Sequence, residues 1–362
     1  MALVDSARIP WWSWASSAVG LLILIVHLVH GPGVVLTSTE VLVLVATVLA
    51  AVYHAEVVAL RVGEPFGTLV LALAVTTIEV ALIVSMMIAG GPETAGLARD
   101  TLFAAVMIVC NGVIGVCLLA GGLRHHEQSF QLQGANAALS VLIALTTMTL
   151  IVPNFTTTTP GPTFSRSQLM FAALTSLILY GAFVFVQTIR HRDYFLPLGG
   201  DGKQGLVAPP PNRVALASAG LLLVSLVVVV ALAKALTPAV EHGIEAVGAP
   251  KSVVGIIIAA LVLLPEGLAS YRAATANRLQ TSVNLALGSA LASLGLTIPA
   301  VAGISLLLGK PLTLGLDPKE QVLLEVTLVV SILTLGTGRT TVLQGVVHII
   351  IFGVFLFLAI AP

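Results

Sequence analysis

Apolar residues are grouped along this chain in long segments, and short polar segments separate them. A helix of about 20 apolar residues crosses the ~30 Å hydrocarbon core of a bilayer. Runs such as 221–232 lack the strict alternation of a membrane β-strand, so the pattern favours helices over a β-barrel. Helices also satisfy their backbone polar groups without water, as a span in lipid requires. The pattern therefore predicts an all-α polytopic membrane protein.

Eleven apolar segments are predicted to be transmembrane helices. Their bounds are 11–31, 40–62, 66–90, 100–122, 134–152, 167–190, 213–236, 252–271, 281–308, 320–337 and 341–360. The longest polar segment, 190–213, contains three consecutive prolines and several glycines, which is typical of a flexible linker. If the first helix is set aside, five helices lie on each side of this linker. Five is an odd number, so the second set enters the membrane in the opposite orientation, as in transporters built from inverted repeats.

This arrangement predicts four parts of the chain and one orientation. The parts are an N-terminal segment with the first helix (1–35), a first five-helix repeat (36–190), a cytoplasmic linker (191–212) and a second five-helix repeat (213–362). With a cytoplasmic N-terminus, the inside segments hold ten Lys and Arg residues and the outside segments hold six. Positive residues are enriched on the cytoplasmic side of membrane proteins, so this orientation is the expected one.

The composition narrows the class of protein further. Charged residues make up 9% of the chain and hydrophobic residues 57%, whereas soluble domains carry about 25% charged residues. The net charge is zero and no basic patch occurs, so nucleic acid is not an expected partner. No phosphate-binding loop is present, so ATP-driven transport is not indicated. The expected partners are the lipid bilayer and small ions, and the oligomeric state is left open.

Two acidic residues inside predicted spans are the principal candidate site residues. Glu79 is in the third span and Glu266 is in the eighth, so each lies in the second helix of its repeat. An ionised carboxylate at the bilayer centre costs ~2.5–3.5 kcal/mol, and Lys and Arg occur at span edges. Each glutamate is therefore expected to be protonated or to hold a cation near the midplane, which couples cation movement to protons. The alternative is that each glutamate is neutral, hydrogen-bonded and structural.

Polar neighbours of the two glutamates are candidate supporting groups. Thr76 shares the helical face of Glu79. Pro265 lacks a backbone N–H and frees a carbonyl one turn earlier, and Gly267 loosens the same turn, so a helix break is predicted there. The spans that follow supply three further candidates, whose amide or hydroxyl oxygens suit hard cations: Asn111, Asn284 and Ser289. The alternatives are a threonine bonded to its own backbone and small residues used only for helix packing.

Three stretches of the chain carry a resemblance to one family. They are 54–67 (HAEVVALRVGEPFG), 264–268 (LPEGL) followed by Asn284 and Ser289, and 337–343 (TGRTTVL). By these motifs the chain resembles the bacterial ChaA-type cation/proton antiporters, which belong to the cation-exchanger branch of the calcium/cation antiporter superfamily. The resemblance extends over nearly the whole chain, except the first ten residues and the central linker.

The resemblance implies eleven spans in the bacterial inner membrane, with one extra helix before two inverted five-helix repeats. It implies that Glu79 and Glu266 bind the cation and protons in turn, with supporting oxygens from Asn111 and Ser289. Such a protein is a transporter and not an enzyme, and it needs no cofactor besides the transported ions. The wider branch often has Gly-Asn-x-x-Glu at the acidic helix, whereas 75–79 reads VTTIE here. Fewer amide oxygens leave Ca²⁺, Na⁺ and K⁺ all open.

The expected function is therefore proton-driven export of cytoplasmic Ca²⁺ or Na⁺, or of K⁺, by alternating access. A passive cation channel is one alternative, and its flux would not respond to ΔpH. A membrane-embedded lipid-modifying enzyme is another, but such enzymes need clustered acids or a nucleophile near a membrane face. His125 and His126, at a predicted cytoplasmic span end, are either pH sensors or solvated loop residues.

Overall fold

The computed structural model describes residues 9–63, 66–89, 92–196, 209–246, 248, 250 and 252–361, and these are almost entirely helical. The α-helices of the described residues are α1 (Trp11–His30), α2 (Val34–Val62), α3 (Phe66–Ala89), α4 (Leu97–Met107), α5 (Ile114–His125), α6 (Leu132–Thr146), α7 (Arg166–Phe185), α8 (Asn212–Ala246), α9 (Ser252–Thr275), α10 (Leu279–Ala292), α11 (Ile298–Leu308), α12 (Pro318–Leu335) and α13 (Val342–Ile360). Two short strands, β1 (Gln128–Ser129) and β2 (Arg339–Thr340), pair antiparallel.

The predicted all-α polytopic fold is confirmed. Ten helical stretches of the described chain are long and apolar enough to cross a membrane. The remaining predicted span, 320–337, corresponds to α12, whose 18 residues include Lys319, Glu320 and Glu325. Helix α2 begins earlier than the predicted residue 40, and α8 continues beyond the predicted residue 236. These bounds differ because polar residues near the end of an apolar run can continue a helix.

Several membrane-length helices contain a π-helical segment. Ile108–Val113 joins α4 to α5, and Ser293–Thr297 joins α10 to α11. Two more extend α6 and α7 at their C-terminal ends, over Thr147–Ile151 and Val186–Arg190. A π-helical turn inserts an extra residue into an α-helix and is frequent at functional sites. The first two segments interrupt the third helix of each predicted repeat, which directs attention to the residues that they carry.

The first compact unit comprises Met1–Thr94 and Gly205–Gly248. Its described helices are α1, α2, α3 and α8, and α2 packs against the other three. The hydroxyl groups of Ser17 in α1 and Ser225 in α8 are buried and lie 2.8 Å apart. The predicted extra helix α1 is therefore an integral part of this unit.

The second compact unit comprises Ala95–Gln204 and Ala249–Pro362 and contains the other helices. Helix α9 packs against α4, α5 and α10, and α13 packs against α5 and α12. Small residues allow such helices to approach closely. A Cβ atom on Gly345 of α13, for example, would lie 2.5 Å from the backbone nitrogen of Leu119 in α5. Each compact unit thus combines helices from both halves of the chain, whereas the predicted repeats are defined by sequence order.

Candidate functional site

Glu79 lies in the middle of α3, in the first compact unit. Its side chain is 1% exposed, and that of Thr76, one turn earlier, is 6% exposed. Ile78 is buried as well, whereas Thr77 is exposed and its hydroxyl donates to the carbonyl of Leu73 at 2.7 Å. The buried face of α3 therefore carries one carboxyl group and one hydroxyl group among apolar side chains.

Glu266 lies in α9, in the second compact unit. It is half-buried, and its Oε2 atom is shielded from solvent. Helix α9 is continuous through Pro265 and Gly267, so the predicted helix break at these residues is wrong. A proline removes one helical hydrogen bond, and neighbouring helices can hold the rest of a membrane helix in place. Gly267 instead permits a close approach, since its Cβ atom would lie 3.3 Å from Cγ2 of Val113.

Asn111 lies in the π-helical segment between α4 and α5, and its side chain is fully buried. Its Nδ2 atom donates to Oγ1 of Thr327 at 2.8 Å, and its Oδ1 atom lies 3.0 Å from Nδ1 of His348. The other ring nitrogen of His348 lies 3.1 Å from Oγ1 of Thr334. Val113 of the same segment lies beside Gly267 of α9, the residue after Glu266. The second compact unit thus brings the Asn111 segment to the helix that carries the glutamate.

The other two predicted supporting residues lie in α10. Asn284 donates from Nδ2 to the carbonyl of Phe195 at 2.6 Å, and its Oδ1 atom accepts from Gln280 at 2.9 Å. These bonds attach the beginning of α10 to the short 3₁₀ helix Arg192–Phe195. Ser289 is half-buried farther along α10. In the structure, Asn284 therefore links two segments of the protein, and a role of either residue in cation binding stays a prediction.

Buried ionisable residues that were not among the predicted site residues include Glu40 and His54 in α2 and His348 in α13. Glu40 in α2 is 1% exposed, and its Oε1 atom lies 2.6 Å from Nδ1 of His27 in α1. His54 and His348 are each 0% exposed. An ionisable side chain within a membrane span is costly and usually paired. A lone histidine in the apolar run of α13 was therefore a usable signal, but its partner Asn111 is distant in sequence.

The two candidate pH-sensing residues lie at the C-terminal end of α5. Nε2 of His125 lies 3.0 Å from the carbonyl oxygen of Thr275, the last residue of α9. A carbonyl only accepts, so this ring nitrogen donates. His126 is exposed and has a positive φ of 65°. His125 thus contacts the helix that carries Glu266, and pH sensing by either histidine stays a prediction.

A shallow, open cleft lies in the second compact unit, where α4, α9 and α12 begin and α13 ends. Its lining includes the acidic residues Asp100 and Glu320 and the basic residue Lys319. Arg99 pairs with Asp100, with 2.8 Å between Nε and Oδ1. The acidic and basic groups balance, so we do not count this cleft among the candidate ion-binding sites.

The fold is similar to solved structures of membrane antiporters. The Ca²⁺/H⁺ antiporter YfkE superposes with a TM-score of 0.74 at 18% sequence identity, over 97% of this chain and 100% of that one. At this identity the similarity concerns the fold alone. Together with the membrane-length helices, it defines the class of this protein as a polytopic membrane protein of the cation-antiporter fold.

The chain belongs to the sodium/calcium exchanger protein family, whose model matches residues 15–189 and 217–361. The y4hA protein of Sinorhizobium fredii is 50% identical over 99% of this chain and 98% of that protein. The sodium-potassium/proton antiporter ChaA of Escherichia coli is 35% identical over 86% of this chain and 85% of that protein. The resemblance to ChaA-type members of the calcium/cation antiporter superfamily is thereby confirmed.

Proposed function

We propose that this protein exports cytoplasmic cations in exchange for protons across the bacterial inner membrane, with Glu79 and Glu266 binding both ions. The burial of Glu79 within an apolar membrane helix is the observation that carries the proposal. An ionised carboxylate there costs ~2.5–3.5 kcal/mol. A proton or a cation removes this cost, so each glutamate favours one or the other. Glu266 in the second repeat supplies the corresponding carboxyl group.

The coupling of cation movement to proton movement follows from a difference in free energy between two forms of the protein. In one form the glutamates hold a proton or a cation, and in the other they are empty. When the glutamates are protonated or bound to a cation, the protein has little uncompensated charge as it changes between its inward-open and outward-open forms. A protein with two empty, ionised glutamates carries charges without partners, and its change of access is slow. Protons from the outside therefore displace the cation outward, and the next cation displaces the protons inward. With a cytoplasmic N-terminus, the proton gradient drives export.

Na⁺ and K⁺ are the cations that we favour, with Ca²⁺ as the alternative. Ca²⁺ prefers 6–8 oxygen ligands. The amide oxygens of Asn111 and Asn284, two of the predicted ligands, are already engaged by His348 and Gln280. A monovalent cation needs less charge compensation than Ca²⁺. The relative ChaA of Escherichia coli is a sodium-potassium/proton antiporter, which supports the same choice.

A cation panel in everted membrane vesicles tests this function. In vesicles acidified by respiration, addition of NaCl or KCl is expected to collapse ΔpH, as a fluorescent pH probe reports. Vesicles from the same host without the protein are the control. A channel would instead carry cations at a rate that does not depend on ΔpH. If ΔpH in vesicles that contain the protein stays unchanged when each cation is added, the proposal is refuted. If ΔpH responds to CaCl₂ alone, Ca²⁺ is the transported cation.

A further inference from the structure

Four buried polar side chains form a connected chain in the second compact unit, which we name the Asn111 network. It consists of Thr327 and Thr334 in α12, Asn111 in the π-helical segment and His348 in α13, and each member is at most 3% exposed. Three hydrogen bonds of 2.8, 3.0 and 3.1 Å connect them. Because the members come from three different helical segments, the network fixes the π-helical segment to α12 and α13.

The hydrogen-bond directions in the network follow from one another. The hydroxyl of Thr327 donates to the Leu323 carbonyl at 2.7 Å, so it accepts from Nδ2 of Asn111. The amide oxygen of Asn111 then faces His348 and only accepts, so Nδ1 of the histidine carries the hydrogen. Nε2 is left as an acceptor for the hydroxyl of Thr334. With this orientation of the carboxamide and this imidazole tautomer, all four side chains have partners.

The reverse orientation of the Asn111 carboxamide requires its neighbours to change together. It would require the other imidazole tautomer at His348, and the Thr327 hydroxyl would have to turn from the Leu323 carbonyl to Oδ1 of Asn111. Buried polar groups without partners are expensive, and a fully satisfied network is correspondingly rigid. His348 and Asn111 therefore fix each other's orientation, and Thr334 holds His348 in place.

The segment that the network holds contacts the helix of the proposed ion-binding residue. Val113, two residues after Asn111, packs against Gly267 of α9, where a Cβ atom would lie 3.3 Å from Cγ2 of the valine. Gly267 directly follows Glu266. A shift of the π-helical segment would therefore change the packing beside the glutamate. This contact connects His348 to Glu266 through Asn111, within one compact unit.

We propose that His348 is a positioning residue for cation binding, which acts by orienting Asn111 and holding its π-helical segment beside Glu266. The inference rests on the proposed role of Glu266. His348 itself does not contact the ion in this proposal. Its loss is expected to weaken apparent cation affinity, because the Asn111 amide and the segment that carries it then adopt several arrangements in place of one.

Two substitutions at residue 348 test the proposal. His348→Leu removes both hydrogen bonds, and His348→Asn places an N–H donor the same number of bonds from the backbone as Nδ1. In the vesicle assay, we expect His348→Leu to raise the Na⁺ concentration for half-maximal ΔpH collapse about 10-fold or more, as expected when a buried polar group loses its partner. We expect His348→Asn to restore most of this loss.

Matched variants separate positioning from a merely structural role. Thr334→Val removes the hydroxyl that holds His348, whereas Thr334→Ser retains it. Only Thr334→Val is therefore expected to raise the Na⁺ concentration for half-maximal ΔpH collapse. Thr146 in α6 is also fully buried, but its hydroxyl donates to carbonyls of its own helix. Thr146→Val is therefore expected to leave apparent affinity unchanged. A structural role alone would lower protein amount and maximal rate in all of these variants without changing apparent affinity.

Defined results overturn the inference. One is a His348→Leu protein that inserts into the membrane and keeps the wild-type apparent affinity for Na⁺. The other is an equal loss of Na⁺ affinity in His348→Asn and His348→Leu. If neither variant at residue 348 accumulates, equal affinities of Thr334→Val and Thr334→Ser overturn it. Glu266→Gln is measured in parallel. Wild-type exchange in that variant refutes the proposed function itself, whereas an inactive Glu266→Gln beside a normal His348→Leu refutes only the role of His348.

Discussion

Glu79→Gln and Glu266→Gln are each expected to reduce cation-evoked proton flux by a factor on the order of 100 or more. Glutamine keeps the size and hydrogen-bonding capacity of glutamate but can neither release a proton nor carry a negative charge. The carboxylate–cation interaction must at least offset the ~2.5–3.5 kcal/mol cost of a charge at the bilayer centre. At ~1.4 kcal/mol per tenfold change, its loss corresponds to that factor. Initial rates of ΔpH collapse in everted vesicles measure the effect.

Glu325→Gln is the matched control for these two variants. Glu325 lies in α12, and its side chain is exposed, whereas Glu79 is buried. The same chemical change at the exposed position is expected to leave exchange near the wild-type rate. Immunoblots of the vesicles establish that all three variants are present in equal amounts. Exchange at the wild-type rate in Glu79→Gln or Glu266→Gln would remove that glutamate from the mechanism.

The helices and the two glutamates could be predicted from the sequence for the same physical reason. Lipid requires long apolar helices, so the spans stand out in composition, and any acid within them is conspicuous. All the predicted spans are helices in the structure. Helix α12 shows where composition stops being informative, since it carries three charged residues and is still a continuous helix of 18 residues.

The structural features that could not be predicted from the sequence depend on tertiary contacts. His348 and Asn111 are 237 residues apart in sequence, and the sequence contains no sign that they form a hydrogen bond. The π-helical segments have no composition of their own, because each differs from an α-helix by one inserted residue. The predicted break at Pro265 failed for a related reason. A proline weakens a helix locally, but helices packed around α9 decide whether it stays continuous.

Gly345→Ala is expected to destabilise the second compact unit and to weaken cation affinity together. Gly345 lies near the beginning of α13, where a Cβ atom would lie 2.5 Å from the backbone nitrogen of Leu119 and 3.0 Å from the carbonyl oxygen of Gly115. Backbone atoms cannot rotate away, so α13 must move from α5. Overpacking of this kind costs ~1–3 kcal/mol. His348 lies one turn farther along α13, so the same displacement disturbs its bond to Asn111.

Thermal unfolding in detergent and the Na⁺ titration in vesicles measure these two effects. Gly353→Ala is the control, because Gly353 is exposed in the same helix and has no atom within 4 Å of its Cβ position. Alanine there is expected to keep or slightly raise stability through its better helix propensity. An unchanged melting temperature in Gly345→Ala would contradict the close packing of α13 on α5. A lower melting temperature with wild-type Na⁺ affinity would separate that packing from the Asn111 network, and would show that the network tolerates a displacement of α13.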